Sequence, residues 1–299
     1  MPFVTARDGA QLHVRVVGRG KPCLLMHGFG MQSLSWLAFV APLLGRYRFI
    51  LPDLRGFGPS HSVLLNQNCV LTNYAEDLED IARALELRGA PIAGISMGAF
   101  ATLQHFRLFG GELFSRYLHI DQGLVIRNAE SAAHGLFGSE QGTYFARFHA
   151  LLAALEAHAD SAFDELPPSL RKEVWSLFAD FAAVSFTSPI AQTFVRSVAR
   201  TDALMTRIMP MRNWQTYVAI LRAYLERDYD MREVVGALSI PMTVLVGGAS
   251  RMYPPEGQRS IATLLPTARV IEVEGVGHFL PFEAPRRFQR ELDRFLAGT

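Results

Sequence analysis

The sequence predicts an α/β domain: a mostly parallel sheet flanked by helices and interrupted by a helical insertion. Three observations point there. Apolar strand-like runs alternate with helical patterns in the first half. The strand signal then vanishes between residues 124 and 235, and it returns from residue 242 onward. At 299 residues the chain can bury one large core. Hydrophobic residues make up 49% and charged residues 19%, with a net charge of +1 and no long Lys/Arg run. That balance argues against a nucleic-acid partner, which selects for a basic face. The segment MPFVTARDGAQL lacks the basic start and apolar centre of a signal peptide. No apolar stretch approaches the ~20 residues of a membrane span, so a soluble, cytoplasmic protein is expected. Cys23 falls in an apolar run and Cys69 in a polar loop, a pair that makes neither a disulfide framework nor a metal-ligand spacing.

Residues 11–17 (QLHVRVV) alternate between apolar and polar, as in a half-buried strand. CLLMHG (23–28), RFILPD (48–53), PIAGIS (91–96) and YLHID (117–121) are continuous apolar runs, the pattern of strands covered on both faces. Leu78, Ile81, Ala82 and Leu85 fall at helical spacing, and Glu76, Asp77, Glu79 and Asp80 beside them read as a solvated face near a helix start. In the insertion, Phe145, Phe148, Leu152 and Leu155 make one amphipathic stripe, and Trp175 and Phe178 mark a second helix. Ser188-Pro189 reads as an N-cap with proline at the first helical position. Trp214, Val218, Leu221 and Leu225 mark a fourth helix. MTVLVGG (242–248) and ARVIEVEG (268–275) resume the sheet, and Phe288, Leu292 and Phe295 line a final helix. The division is therefore residues 1–123 and 236–299 for the core and 124–235 for the helical insertion, with no linker that would free it.

The residues that carry chemistry begin at Gly94-Ile95-Ser96-Met97-Gly98, a G-x-S-x-G motif between an apolar strand and a helical segment. A strand-to-helix elbow is tight, so glycines stand where side chains would collide, and Ser96 projects as a nucleophile. An oxyanion formed by its attack on a carbonyl needs N–H donors. Met97 supplies one, and Phe29, in the loop His27-Gly28-Phe29-Gly30 after a buried strand, supplies the second. His27 itself reads as a loop-bonding residue. The general base is His278, in Gly275-Val276-Gly277-His278 after the last strand, where two glycines give its loop freedom to reach a nucleophile. The remaining histidines stand in strands, helices or plain loops.

HGFG (27–30), DLRGFGPS (53–60), GISMG (94–98) and GVGHFLPFEAP (275–285) together resemble the α/β-hydrolase superfamily, in the order its motifs occur. The resemblance implies its fold, with the insertion as a helical cap between the sixth and seventh strands. It implies that Asp53 organises a loop. It also implies an acid after the seventh strand, yet that stretch reads Gly248-Ala249-Ser250-Arg251 and holds no carboxylate. Glu256 is the nearest alternative. Asp121, at the end of the sixth strand, is the better candidate. An aspartate in an apolar strand is costly unless paired, and some members of the superfamily take their acid there. The alternative for Asp121 is a turn cap or a pair with Arg127.

The implied reaction is acyl transfer by Ser96, His278 and Asp121 on an apolar ester-like small molecule, a carboxylic ester, lactone or thioester, with no metal or organic cofactor. Trp36, Gly28 and Gln122 are candidate pocket residues, and the Phe-, Leu- and Met-rich insertion either lines an apolar pocket or packs onto the sheet. A C–C bond hydrolase of ring-cleavage diketones, a cofactor-free perhydrolase and a non-catalytic receptor are the rivals. A homo-oligomer is left open.

Overall fold

The computed structural model describes residues 3–66, 69–129, 133–209 and 211–298. Eight strands form one sheet: β1 (Phe3–Thr5), β2 (Gln11–Gly18), β3 (Lys21–Met26), β4 (Tyr47–Pro52), β5 (Ile92–Ile95), β6 (Tyr117–Ile120), β7 (Met242–Gly247) and β8 (Arg269–Val273). Their order is β1-β2-β4-β3-β5-β6-β7-β8. The strands β3 to β8 are mutually parallel, while β1 and β2 join antiparallel at one edge. Parallel strands need both faces covered, and β5 and β6 are buried at every position.

Helix α1 (Val70–Ala84) and helix α2 (Met97–Phe109) cover one face. Among the described residues, five helices of seven residues or more stand between β6 and β7: α3 (Gln141–Glu156), α4 (Pro168–Ser185), α5 (Pro189–Val198), α6 (Asp202–Ile208) and α7 (Trp214–Glu226). The neck of this insertion closes on itself, since Val125 bridges Asp230 and the Met231 N–H donates to the Leu124 carbonyl at 2.8 Å. Helix α8 (Pro285–Ala297) covers the opposite face with Phe288, Leu292, Phe295 and Leu296. Each such side chain contributes ~1.5–3 kcal/mol when fully buried.

Ser188 caps α5 as expected, accepting from the Ala191 N–H at 3.4 Å, with Pro189 in the first turn. Strand β1 and helix α6 are among the elements that escaped the sequence. Strand β1 is three residues long, and α6 buries no residue. Neither has room or need for a periodic apolar pattern.

The acidic run in α1 needs correction. The helix starts at Val70, so Glu76 to Asp80 lie in its second and third turns, and they are not a solvated face. Asp77 and Glu79 are buried, at 2% and 3% exposure. Arg55 donates to both oxygens of Asp77 at 2.8 and 2.6 Å, and His105 Nε2 lies 2.7 Å from Glu79. Arg7 pairs with Asp80 at 2.9 Å. These partners arrive from sequence positions 22 to 73 residues away. A pattern confined to one helix cannot register them, and only pairing makes buried carboxylates tolerable.

Candidate active site

Ser96 sits between the end of β5 and the start of α2 with φ 51° and ψ −125°, a conformation an L-residue adopts only under constraint. The turn closes because the flanking glycines carry no Cβ. At Gly98 a Cβ would lie 2.5 Å from the carbonyl oxygens of His27 and Met26, and at Gly94 it would lie 2.7 Å from the Ala99 backbone. The loop after β3 thus packs directly against the elbow, and a Cβ on Gly28 would touch the Ser96 Cβ at 3.2 Å. Met97 opens α2, where an N–H has no intrahelical acceptor. Phe29 occupies the adjoining loop, whose own backbone bond runs from the Met31 N–H to the Gly28 carbonyl. His27 is a loop-bonding residue, as read from the sequence. Its Nδ1 donates to the Gly28 carbonyl at 2.8 Å and its Nε2 accepts from the Leu54 N–H at 3.1 Å. Burial holds its imidazole below the ordinary range, in keeping with that neutral tautomer.

Parallel pairing brings the other two residues to the same end of the sheet. Ile95 is opposite Ile120, and Ile120 is opposite Leu245, so Ser96 and Asp121 leave neighbouring strands together. His278 Nε2 lies 3.0 Å from the Ser96 hydroxyl, and His278 Nδ1 lies 2.7 Å from Asp121 Oδ2. The carboxylate can only accept, so Nδ1 carries the proton and Nε2 is free to take one from the serine. All three side chains are shielded from water, with Ser96 9%, His278 2% and Asp121 0% exposed. Hydrogen bonds and charges act more strongly in such surroundings.

Asp121 has φ 41° and accepts three further hydrogen bonds. The Gly247 N–H donates at 2.8 Å and Gln258 Nε2 at 3.0 Å to Oδ1, while the Ser250 hydroxyl donates at 2.7 Å to Oδ2. Sequence reasoning missed Ser250 and Gln258 as partners. The signal was present in Ser250, the residue standing where the resembled family's acid belongs. Glu256 lies on the surface and pairs with Arg259 at 2.8 Å, away from the histidine. Arg127 turns to the Leu225 carbonyl rather than to Asp121. Asp53 organises its loop, accepting from the Ser33 N–H at 2.6 Å and the Ser33 hydroxyl at 2.7 Å.

The histidine loop is wedged between sheet and insertion. A Cβ on Gly247 would meet the Gly277 carbonyl at 2.4 Å, and the Phe279 N–H donates to the Ser185 carbonyl at the end of α4 at 3.1 Å. Glu283 ties the same parts together. It accepts from the Gly277 N–H and from the Thr187 N–H and hydroxyl, each at 2.7 Å.

Over Ser96 and Met97 lies a cavity with about 900 Å³ of empty space, part of it open to solvent. Phe137, Phe148, Phe178, Phe181 and Trp214 from the insertion dominate its wall. The insertion's apolar stripes therefore divide. Phe148, Leu155, Phe178, Val218 and Leu221 line the cavity, whereas Phe145, Leu152, Trp175 and Leu225 pack the interior. The three expected pocket residues need correction, since none lines this cavity. Trp36 is fully buried on the opposite face of the sheet and stacks on Phe288 at 6.2 Å. The one-turn helix Ser33–Trp36 folds it there. Gln122 is fully buried and donates to the Gly123 carbonyl at 3.2 Å, leaving Tyr253 on the cavity wall. Gly28 contributes its close approach to Ser96 instead.

The model of the alpha/beta hydrolase family matches residues 23–291. The chain belongs to the α/β-hydrolase family. Its relatives within that family are distant. A non-heme chloroperoxidase of Kitasatospora aureofaciens is 24% identical, the match covering 99% of each chain. The 3-oxoadipate enol-lactonase 1 of Acinetobacter baylyi is 28% identical over 83% of this chain and 79% of its own. Among solved α/β-hydrolase structures, an esterase from Exiguobacterium antarcticum superposes with a TM-score of 0.72 at 20% identity, covering 99% of this chain and 98% of that one. A bromoperoxidase from Bacillus anthracis gives 0.74 at 19% identity, covering 99% of both. At these identities the structures establish the α/β-hydrolase fold alone. Among the described residues, no helix is long and apolar enough to cross a membrane, and no group of three or more His, Cys, Asp or Glu is placed to hold a metal ion.

Proposed function

We propose that this chain is a serine hydrolase cleaving a carboxylic ester, lactone or thioester of an apolar small molecule through an acyl-enzyme. The observation that carries this reading is the hydrogen-bonded series Ser96–His278–Asp121 beneath an apolar cavity. His278 Nε2 accepts the Ser96 proton as Oγ attacks the carbonyl carbon. The Phe29 and Met97 N–H groups hold the oxyanion as charge builds on the carbonyl oxygen. The bond to the leaving group then breaks and His278 protonates it. In the second half, water gives its proton to His278 as it attacks the acyl carbon; the acyl–Oγ bond then breaks, His278 returns the proton to Ser96, and the acid is released. Asp121 fixes the imidazole tautomer and stabilises its cationic form. The helical insertion acts as a cap that excludes water and selects the acyl group. The esterase and enol-lactonase neighbours support the reaction class.

The test is hydrolysis of chromogenic esters of graded acyl length by the wild type and Ser96→Ala, together with labelling of Ser96 by an organophosphonate. Saturable turnover that disappears with the serine supports the reading. A wild type that turns over no ester and resists labelling overturns it. A second reading, perhydrolysis, is favoured by the relatives named as haloperoxidases. There hydrogen peroxide replaces water in deacylation and yields a peracid. Peracid formation with peroxide and a carboxylic ester, above the rate of the Ser96→Ala variant, distinguishes it.

A further inference from the structure

A second hollow adjoins the cavity over Ser96. It is lined by Phe29, Phe178 and Phe181, which it shares with the first, and on its far side by Phe186, Phe279 and Phe282. Ala182 on α4 and Val195, Ala199, Met205 and Met209 along and just beyond α5 and α6 complete an apolar wall. The partition between the two hollows is aromatic. Phe29 stacks on Phe178 with ring centres 5.8 Å apart and planes 9° apart, and it meets Phe181 edge-on at 5.7 Å.

Ser96 and Met97 line the first hollow only, while Phe279, the residue after His278, lines the second only. An ester carbonyl attacked by Ser96 has two arms. His278 must reach the leaving oxygen to protonate it, so the alcohol arm lies on the histidine side of the nucleophile. From these placements we infer that the second hollow is the leaving-group subsite and the first is the acyl subsite. This rests on the ester-hydrolase reading above. The substrate class it names is an ester uncharged and apolar on both sides of the scissile bond, with an alcohol arm of several carbons or an aryl ring.

The step balances within that assignment. The Ser96 Oγ–acyl bond forms, the acyl–alkoxy C–O bond breaks, and the proton that His278 took from Ser96 passes to the alkoxide. The free alcohol then leaves through the second hollow. Phe29 has a double place here, since its ring is the partition and its N–H is the proposed oxyanion donor. Filling the alcohol subsite therefore presses on the residue that stabilises the transition state, and alcohol length registers in kcat as well as KM.

The test compares methyl, butyl and octyl esters of one short acid, and a parallel series with one short alcohol and lengthening acids. Ala182→Trp fills the second hollow, and Phe186→Ala enlarges it. Ala182→Trp is expected to lower the ratio of kcat/KM for the octyl ester to that for the methyl ester by roughly 10- to 100-fold, the scale on which apolar pockets discriminate. Phe186→Ala is expected to shift preference toward bulkier alcohols, and neither variant changes the order of preference in the acyl series. Loss of equal size for every alcohol, or a loss that follows acyl length instead, overturns the assignment while ester hydrolysis stands. Failure of the wild type to hydrolyse any ester in either series removes the hydrolase reading and this assignment with it.

Discussion

The sheet end and the helical insertion meet over the same serine but are built on opposite principles. At the sheet end, a buried carboxylate is held by converging donors: Asp121 has no exposed surface and accepts four hydrogen bonds of 2.7 to 3.0 Å from His278, Ser250, Gln258 and Gly247. The insertion offers that serine almost only hydrocarbon, and two of its helices, α5 and α6, bury no residue. Directional bonds on a rigid sheet hold geometry, whereas apolar contacts on loosely seated helices can change shape with little cost. In the proposed hydrolase, chemistry and selectivity are thereby separated. Polar ties join the two at the histidine loop, where Glu283 links Gly277 to Thr187 just past α4 and the Phe279 N–H donates to the Ser185 carbonyl.

That contrast can be broken most severely at the sheet end. Ser96→Ala is expected to lower kcat by about 10⁶ and Asp121→Asn by about 10⁴, the losses seen when a nucleophile or its orienting aspartate is removed. Steady-state kinetics on a short ester, with circular dichroism to show that each variant is folded, checks both. A drop below tenfold for Asp121→Asn would take the aspartate out of the mechanism.

Protonation gives the next effect, on stability. Burial holds the His119 imidazole down at about 4, against an ordinary 6.5. The folded state therefore binds fewer protons than the unfolded chain in this window. The stability is fully present above pH 6.5 and drains as pH falls toward 4, by about 2 kcal/mol at pH 5. His27, lowered by the same cause, acts in the same direction. Urea midpoints at pH 7 and pH 5 measure the loss, and His119→Gln is expected to flatten part of it. An unchanged slope in that variant would locate the pH dependence elsewhere.

Ser250→Ala removes one hydrogen bond to a buried carboxylate. It is expected to lower kcat by roughly 10- to 100-fold, the equivalent of ~1.5–3 kcal/mol, with the substrate binding constant nearly unchanged. Activity equal to wild type would mean that the other three donors suffice to hold Asp121.

The insertion gives the smallest and most selective effect. Val218→Trp narrows the cavity over Ser96. It is expected to reduce kcat/KM for long acyl chains by roughly tenfold and to spare acetyl esters, in line with the worth of one or two methylenes. If acetyl esters suffer equally, the division between the two regions fails.

Much of the sheet end was legible beforehand because its signals are local. Continuous apolar runs marked strands, and the spacing of Gly94, Ser96 and Gly98 marked a turn so tight that a Cβ on either glycine would lie 2.5 to 2.7 Å from backbone atoms. Asp121 stood out as a carboxylate ending an apolar strand. Trp36 misled for the converse reason. Its closeness in sequence to the HGFG loop says nothing about which face of the sheet a one-turn helix will deliver it to. The acidic run of α1 misled in the same way, because its partners come from the turn after β1, the loop after β4 and α2.

By itself, the sequence determined the strands from β2 onward, the elbow, the histidine loop and the place of the helical insertion. Each of these follows from periodicity, glycine spacing or an unusual residue in an apolar run, and such constraints act between near neighbours along the chain. Only the tertiary structure decided the partners of each buried charge. It alone turned Ser250 from a missing acid into a donor to Asp121, and it alone sorted the aromatics into cavity wall and packing. Those outcomes depend on parallel register and on which distant segments fold against one another, and a buried polar group is settled by whatever complementary group the whole fold brings within about 3 Å.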